Sequence, residues 1–264
     1  MSSPDVGAYC FDLDGTLYVR DAAVPGAVAM LGRLRERGIP FRCLSNTTSR
    51  PRAALVARLR AYGFDVADHE LLTAPLAGAT LLGKRGHRTV APFVPEATHA
   101  DLAGFQLVGG TARARPPRGA PDAVLIGDLG AAWTDALLQE AFAYLMAGAD
   151  FVACSRDRYW LSSTGLVMDC GAYVAGLEHA TGRTADITGK PGAAFFEAAL
   201  DSLGGPPPGS VAMVGDDPWS DVAGAQAVGM RGWLVATGKF APEAIGGTGV
   251  TPDRVLASVA HLPD

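Results

Sequence analysis

Two aspartates one residue apart, Asp12 and Asp14, close an apolar run that begins at Tyr9, and Gly15-Thr16 follows at once. A short apolar run of this kind predicts a buried strand, and side chains at i and i+2 of a strand point to the same face. Two carboxylates that close repel, and one tends to keep a proton unless a cation lies between them. The pair therefore predicts a metal site, a lysine partner or an acid–base role. The simpler alternative is a strand end followed by a turn.

Three further groups of polar residues stand at predicted strand ends or helix starts: Ser45 with Asn46, Lys190 alone, and Asp216 with Asp217 and Asp221. In an open parallel sheet the carboxyl ends of the strands share one edge, so residues far apart in sequence can meet there. A lone carboxylate at a strand end usually caps a helix. Several acids, one lysine and a hydroxyl–amide pair at one edge instead predict a single reactive site.

The elements that must position these groups alternate along the chain. After Pro25, which suits the first position of a helix, Val28, Leu31 and Leu34 recur at helical spacing. Further strands are predicted at 39–44, 123–128, 150–154, 210–214 and 232–235, and further helices near 51–63, 133–147, 171–181, 195–200 and 221–228. This alternation predicts an α/β fold with a parallel sheet and crossover helices.

The spacing of the polar groups predicts two domains. About 30 residues separate Asp14 from Ser45, whereas about 145 separate Ser45 from Lys190, which leaves room for an inserted domain of ordinary size. Within the longer gap, a loop-like stretch at 109–121 is rich in Gly, Arg and Pro. We expect a discontinuous core over 1–76 and 188–264 and an inserted cap over 77–187.

Composition narrows the classes of function. The 264-residue chain has a net charge of −5 and no basic stripe, so nucleic acid is not an expected partner. The N-terminus lacks the pattern of a signal peptide, and no apolar run approaches the roughly 20 residues that span a bilayer. Four cysteines without a C-x-x-C pair are expected to be reduced, buried thiols. We therefore expect a cytoplasmic protein with no membrane partner.

Four motifs carry a resemblance to the haloacid dehalogenase superfamily of phosphoryl-transfer hydrolases. They are FDLDGTL (Phe11 to Leu17), Ser45 after CLS, Lys190 in GKP, and GDDPWSD (Gly215 to Asp221). Their order is that of the family, and the chain is most similar to the NagD-like (type IIA) branch. The run from Gly189 to Phe240 resembles the phospholysine phosphohistidine inorganic pyrophosphate phosphatases. Two departures are Ser220, where the branch often has Thr, and Val19-Arg20-Asp21, where a glycine is frequent and the flap could differ.

The resemblance implies a Rossmann-like parallel-sheet core with an inserted α+β cap, and a role for each core motif. Asp12 would be the nucleophile that forms an aspartyl-phosphate, and Asp14 would protonate the leaving oxygen and then deprotonate water. A phosphate monoester is an anion, and one Mg²⁺ with hard oxygen ligands can shield a carboxylate nucleophile from it. The implied metal ligands are the Asp12 carboxylate, the Asp14 backbone carbonyl and Asp216, with Asp221 or Asp217 acting through water.

The same resemblance places the phosphoryl oxygens against Lys190 and Ser45, with backbone N–H groups near Gly15 and Asn46 assisting. An acid at Asp14 favours a phosphatase over a dehalogenase, because a halide leaving group needs no proton. A cap in the second gap, as in the NagD-like branch, argues against the phosphomutases and phosphonatases of the superfamily. Such a lid excludes water and selects the substrate.

Residues that select the substrate are predicted within the cap. The candidates for contact with the leaving group are Asp128, Arg158, Tyr159 and Trp160; the alternative for the aromatic residues is the core of the cap. The expected substrate is a small phosphorylated molecule, with a phosphoamide, a pyrophosphate or a phosphomonoester all open. One alternative is a sugar-phosphate phosphatase. Another is a catalytically idle binding or regulatory protein, which the intact motif residues argue against. A homodimer through the cap is implied by the resemblance only.

Two other patterns are not expected to carry function. The stretch from Gly78 to Lys84 has P-loop spacing, but Arg85 stands where the Mg²⁺-binding hydroxyl should be, and Leu76, Leu81 and Leu82 suit an amphipathic helix. The five histidines show no metal-binding spacing.

Overall fold

The computed structural model describes residues 6–116, 119–162, 165–238 and 249–263. The chain divides into two compact units. The first unit comprises Met1–Ser45, Ala53–Leu72 and Lys190–Asp264, and the second unit comprises Asn46–Arg52 and Thr73–Gly189.

Strands and helices alternate along most of the described chain. The strands are β1 (Ala8–Asp12), β2 (Tyr18–Val19), β3 (Ala22–Ala23), β4 (Phe41–Ser45), β5 (Leu71–Thr73), β6 (Thr89–Phe93), β7 (Gln106–Leu107), β8 (Ala123–Ile126), β9 (Asp150–Ala153), β10 (Tyr159–Ser162), β11 (Gly165–Met168), β12 (Asp186–Ile187), β13 (Val211–Gly215), β14 (Arg231–Val235) and β15 (Arg254–Leu256). The α-helices are α1 (Ala27–Glu36), α2 (Arg52–Ala61), α3 (Ala74–Lys84), α4 (Asp135–Met146), α5 (Gly171–Thr181), α6 (Ala193–Ser202) and α7 (Gly224–Ala227).

A six-stranded sheet forms the centre of the first unit, in the order β15-β14-β13-β1-β4-β5. Strand β1 is buried along its whole length, as its apolar run predicts, and runs parallel to β13 on one side and β4 on the other. Phe11 pairs with Val214 and Asp12 pairs with Leu44, so the three strands end at nearly the same level. The register therefore places Ser45 and Asp216 just beyond the level of Asp12.

Apolar side chains on one face of this sheet pack against helices α1 and α2. Helix α1 buries Met30, Leu31 and Leu34, and the same core contains Phe11 and Leu59. Burying each such side chain contributes roughly 1.5–3 kcal/mol. The predicted start of α1 at Pro25 is wrong by two residues, because Gly26 adopts a left-handed conformation and caps the helix instead.

A second parallel sheet, in the order β12-β9-β8-β6-β7, forms the second unit, and β10 and β11 make a separate antiparallel hairpin. The hydrophobic core of the second unit includes Phe93, Val124 and Phe151. The ring of Trp133 stacks between the rings of Phe93 and Tyr173. The predicted α/β class, with a Rossmann-like core and a further domain, is confirmed. No helix within the described ranges is both long and apolar enough to cross a membrane.

The helix predicted at 221–228 begins earlier than expected. A π-helical turn, Pro218–Ala223, precedes the short α7. Proline suits the first turn of a helix because a backbone N–H there would have no acceptor within the helix, so the absence of that N–H in proline costs no hydrogen bond. The carboxylate of Asp217 caps the turn by accepting from the amides of Trp219 and Ser220. These two local features move the helix start to Pro218.

Candidate active site

Lys190 joins two buried aspartates that are distant in sequence. Its Nζ donates to Oδ1 of Asp12 and, at 2.7 Å, to Oδ1 of Asp221. All three side chains lie in the first unit and are buried. Lys190 therefore places a positive charge between the carboxylates of Asp12 and Asp221.

The charges of these groups depend on each other. Burial raises the pKa of Asp12 to about 6, against the opposing effect of Lys190 and with a further contribution from Asp216. Burial likewise raises the pKa of Asp221 to about 6, again opposed by Lys190. Burial alone would lower the pKa of Lys190, but the two aspartates outweigh it and raise that pKa above its ordinary value. The lysine is thus held in its charged form.

Asp12, Asp216 and Asp221 form an acidic cluster. Each offers a carboxylate oxygen, and these oxygens lie within 4.8 Å of one another. Carboxylate oxygens are the hard ligands that Mg²⁺ prefers. Three carboxylates and one lysine also leave an excess of negative charge, so the donor set fits a divalent cation.

The fourth motif contains two further aspartates whose side chains do different things. Oδ1 of Asp217 accepts from the backbone amides of Trp219 (2.9 Å) and Ser220 (3.0 Å), so this carboxylate caps the π-helical turn. Asp221 instead reaches the cluster, and its Oδ2 accepts from the Asp217 amide at 3.1 Å. Because both oxygens of Asp221 already accept hydrogen bonds within the protein, this residue suits an indirect role at a metal.

Three glycines give the acids the space they occupy. An added Cβ at Gly15 or Gly238 would collide with the Asp216 carboxylate, and one at Gly215 would collide with that of Asp221. Gly15 was predicted to help bind phosphate through nearby N–H groups, but its own N–H donates to the Tyr18 carbonyl at 2.8 Å. The absence of a side chain at Gly15 lets Asp216 approach the backbone, and the part of neighbouring N–H groups in phosphate binding stays a prediction.

The carboxylates of Asp12 and Asp14 lie in different surroundings because β1 ends at Asp12. The chain then turns tightly, with the Leu13 carbonyl accepting from the amides of Thr16, Leu17 and Tyr18. Asp12 is buried in the cluster, whereas Asp14 is exposed and its Oδ2 accepts from the Tyr18 hydroxyl at 2.9 Å. The extended geometry does not continue to Asp14, and the turn separates the surroundings of the two carboxylates.

The chain passes from the first unit to the second between Ser45 and Asn46. Ser45 ends β4 and is buried in the first unit. Asn46 groups with the second unit, where its Nδ2 lies 3.5 Å from Oδ2 of Asp157. Their assignment to phosphate binding stays a prediction.

The predicted selectivity residues of the second unit differ in their exposure, and their assignment stays a prediction. Asp128 is half-buried and its Oδ1 accepts from the Gly130 amide at 2.8 Å. Arg158 and Tyr159 are exposed, and the side chain of Trp160 lies outside the described residues. The motif residues Lys239 and Phe240 also lie outside them. The P-loop-like stretch falls in helix α3, as its leucine spacing predicts.

Comparisons with known proteins match the chain along most of its length. A family model described as haloacid dehalogenase-like hydrolase matches residues 9–107, and one described as HAD-hydrolase-like matches residues 187–262. Haloacid dehalogenase-like hydrolase domain-containing protein 2 of Homo sapiens is 37% identical over 233 residues, covering 88% of this chain and 85% of the relative. Phospholysine phosphohistidine inorganic pyrophosphate phosphatase of Xenopus laevis is 32% identical over 267 residues, covering 98% and 94%.

Solved structures share the fold. NagD from E. coli K-12 aligns with a TM-score of 0.86 at 26% identity, covering 98% of this chain and 99% of its own. A p-nitrophenyl phosphatase from Archaeoglobus fulgidus aligns with a TM-score of 0.87 at 28% identity, covering 97% and 98%. Glycerol phosphate phosphatase from Mycobacterium tuberculosis, in complex with calcium, aligns with a TM-score of 0.81 at 27% identity, covering 96% and 74%.

Proposed function

Because this chain belongs to the haloacid dehalogenase-like hydrolases, as a phosphatase of the NagD-like branch, we propose that it is a Mg²⁺-dependent enzyme. It hydrolyses a small phosphorylated substrate through an aspartyl-phosphate on Asp12. The observation that carries the proposal is the buried network in which Lys190 bonds Asp12 and Asp221, with Asp216 in the same acidic cluster.

In the first step, a carboxylate oxygen of Asp12 bonds to phosphorus as the bond to the leaving oxygen breaks. Asp14 gives that leaving oxygen a proton. In the second step, Asp14 takes a proton from the water that attacks phosphorus, which releases inorganic phosphate and restores Asp12. Ser45 and Lys190 hold the phosphoryl oxygens.

The metal would be held by the carboxylates of Asp12 and Asp216 and the backbone carbonyl of Asp14, with Asp221 acting indirectly. When bound, Mg²⁺ supplies positive charge that offsets repulsion between the phosphoryl oxygens and the attacking carboxylate. Support comes from the donor set of the acidic cluster and from the calcium bound by a structural neighbour. Fixed charge of this kind suits the reaction, since hydrolysis of phosphate monoesters needs accelerations approaching ~10²¹-fold.

Replacing the nucleophile tests the proposal. Asp12→Asn keeps the size of the side chain but removes its nucleophilic oxygen, so turnover of p-nitrophenyl phosphate in Mg²⁺ should be abolished. Asp65→Asn is the matched control, because that carboxylate is 87% exposed, and it should behave as wild type. Chelation of the metal should also stop turnover. Retained activity in Asp12→Asn would show that the nucleophile is wrong, and no turnover by wild type with or without Mg²⁺ would favour the idle binding protein.

The relatives suggest several classes of phosphorylated substrate. The names of relatives and neighbours include phospholysine, phosphohistidine, pyrophosphate, nitrophenyl phosphate and glycerol phosphate as substrates. A panel of these compounds together with sugar phosphates, compared by kcat/KM, would separate a phosphoamide or pyrophosphate enzyme from a sugar-phosphate phosphatase. Asp128, Arg158, Tyr159 and Trp160 stay the proposed selectivity residues.

We further propose that the enzyme acts in the cytoplasm and forms a homodimer through its second unit. Four free, buried cysteines fit a reducing compartment. Exposed Tyr159 and Met168 pair across the β10–β11 hairpin and offer apolar surface to a second copy. Sedimentation at graded concentrations tests the dimer, and a monomer at every concentration would contradict it.

A further inference from the structure

The hydroxyl of Tyr18 holds one oxygen of the Asp14 carboxylate. Tyr18 is 1% exposed, and its hydroxyl donates to Oδ2 of Asp14 at 2.9 Å. A phenol keeps its proton near neutral pH, because its ordinary pKa lies well above 7. The hydroxyl is therefore the donor of this bond, and Asp14 is the acceptor.

The guanidinium of Arg58 packs over the aromatic ring of Tyr18. It lies 4.7 Å from the centroid of the Tyr18 ring, and a cation over an aromatic face is attracted to it. The guanidinium is itself fixed, since Nε donates to the Tyr62 hydroxyl at 2.9 Å and Nη2 donates to the Arg20 carbonyl at 2.8 Å. The Tyr18 and Tyr62 rings also contact, with centroids 5.4 Å apart. This buried tyrosine thus has a defined position.

We propose that Tyr18, held by Arg58, is a positioning residue that presents the second oxygen of Asp14, Oδ1, to the leaving group. This inference rests on the proposed function. Because the tyrosine proton already points at Oδ2, the proton that Asp14 transfers is carried on Oδ1. It moves from Oδ1 to the leaving oxygen as the bond from phosphorus to that oxygen breaks and Asp12 bonds to phosphorus. In the second step, Oδ1 takes a proton from the attacking water. The exposure of Asp14 leaves its side chain accessible to substrate.

Tyr18→Phe tests this arrangement because it removes the hydroxyl and keeps the ring beside Arg58. Proton donation matters most for leaving groups that bear negative charge poorly and least for p-nitrophenolate. Across a series of aryl phosphates, kcat/KM should fall about 10–100-fold for the least acidic leaving group that wild type accepts, but less than about 3-fold for p-nitrophenyl phosphate. Since kcat/KM covers only the steps through phosphoryl transfer to Asp12, the comparison isolates the step in which Asp14 is the acid.

The matched control is Tyr144→Phe, which removes a tyrosine hydroxyl that donates to a carboxylate of the second unit, that of Glu140 at 2.7 Å, and should change all substrates by the same factor. Thermal unfolding checks that each variant folds. If Tyr18→Phe does not fold, Arg58→Met must produce the same bias against poor leaving groups, because it frees the tyrosine from the guanidinium that packs over its ring. A uniform change across the series, or none, overturns the positioning role while leaving the proposed function intact. Failure of wild type to hydrolyse any aryl phosphate overturns the proposed function itself.

Discussion

Replacing Gly15 with alanine is expected to lower kcat/KM about 100-fold while leaving the fold nearly intact. An alanine Cβ at this position would lie 2.5 Å from Cγ of Asp216. Non-bonded carbon atoms rest about 3.5–4 Å apart, so the Asp216 carboxyl must move by about 1 Å. A displacement of that size in a catalytic group costs roughly 100-fold, or about 2.7 kcal/mol of transition-state stabilisation.

The chain offers a control that separates this displacement from backbone strain. Gly15 has φ +87°, and Gly38 has φ +67° with no atom within 4 Å of an added Cβ. Alanine pays about 1–2 kcal/mol for a left-handed conformation at either site, which corresponds to a fall in Tm of about 2–8 °C. The two variants should therefore unfold at similar temperatures, but only Gly15→Ala should lose activity.

The assay is turnover of p-nitrophenyl phosphate at saturating Mg²⁺, with thermal unfolding measured on the same preparations. Higher Mg²⁺ should recover little of the loss if the displaced carboxylate no longer lies where the metal needs it. The reasoning is refuted if Gly15→Ala keeps kcat/KM within about 3-fold of wild type. It is also refuted if Gly38→Ala loses activity to the same extent, since strain alone would then explain both variants.

Three further predictions concern charged side chains, two of them buried. Lys190→Met leaves two buried carboxylates without their cation and should destabilise the protein by about 3–5 kcal/mol; added Mg²⁺ should raise Tm more in this variant than in wild type, and Lys84→Ala, in helix α3, should keep full activity. Burial raises the pKa of Glu70, but hydrogen bonds from Arg35 and a backbone amide outweigh it and hold that pKa below its ordinary value. The ionised carboxylate thus stabilises the fold at neutral pH, and this contribution is lost as pH falls through its folded-state pKa. Glu70→Gln should lower Tm at pH 7 and converge with wild type in acid; equal differences at both pH values would contradict this, and exposed Glu36→Gln should show no such dependence.

The sequence predicts those parts of the site that depend on one rule, namely that the carboxyl ends of parallel strands lie at one edge of the sheet. Apolar runs ending in polar residues predict strands β1, β4 and β13, and parallel pairing then brings Asp12, Ser45 and Asp216 to one edge. The need of clustered acids for a cation also points to Lys190 as a partner, although no strand of the first sheet carries it.

Other parts of the site depend on contacts that no local pattern encodes. The bond from Tyr18 to Asp14 exists because β1 stops at Asp12 and the chain turns back. Tyr18 follows Thr16 and Leu17 and has the pattern of an ordinary core residue in the sequence, so nothing there predicts a role for its hydroxyl. Gly238 lies against Asp216 and Gly15, which is a contact between residues that no local pattern brings together.

The central position of β1 has a consequence during translation. Its two partners are β4, made soon after it, and β13, whose adjoining Asp216 follows Asp12 by roughly 200 residues, or about 10–40 s at ordinary elongation rates. Throughout that interval, one edge of a strand that is buried along its whole length in the folded protein lacks its partner, and such edges invite association between chains. Residues 73–189 meanwhile emerge as one continuous segment with its own sheet and core. The nascent chain therefore carries an aggregation hazard on the strand that bears the nucleophile, until β13 has left the ribosome.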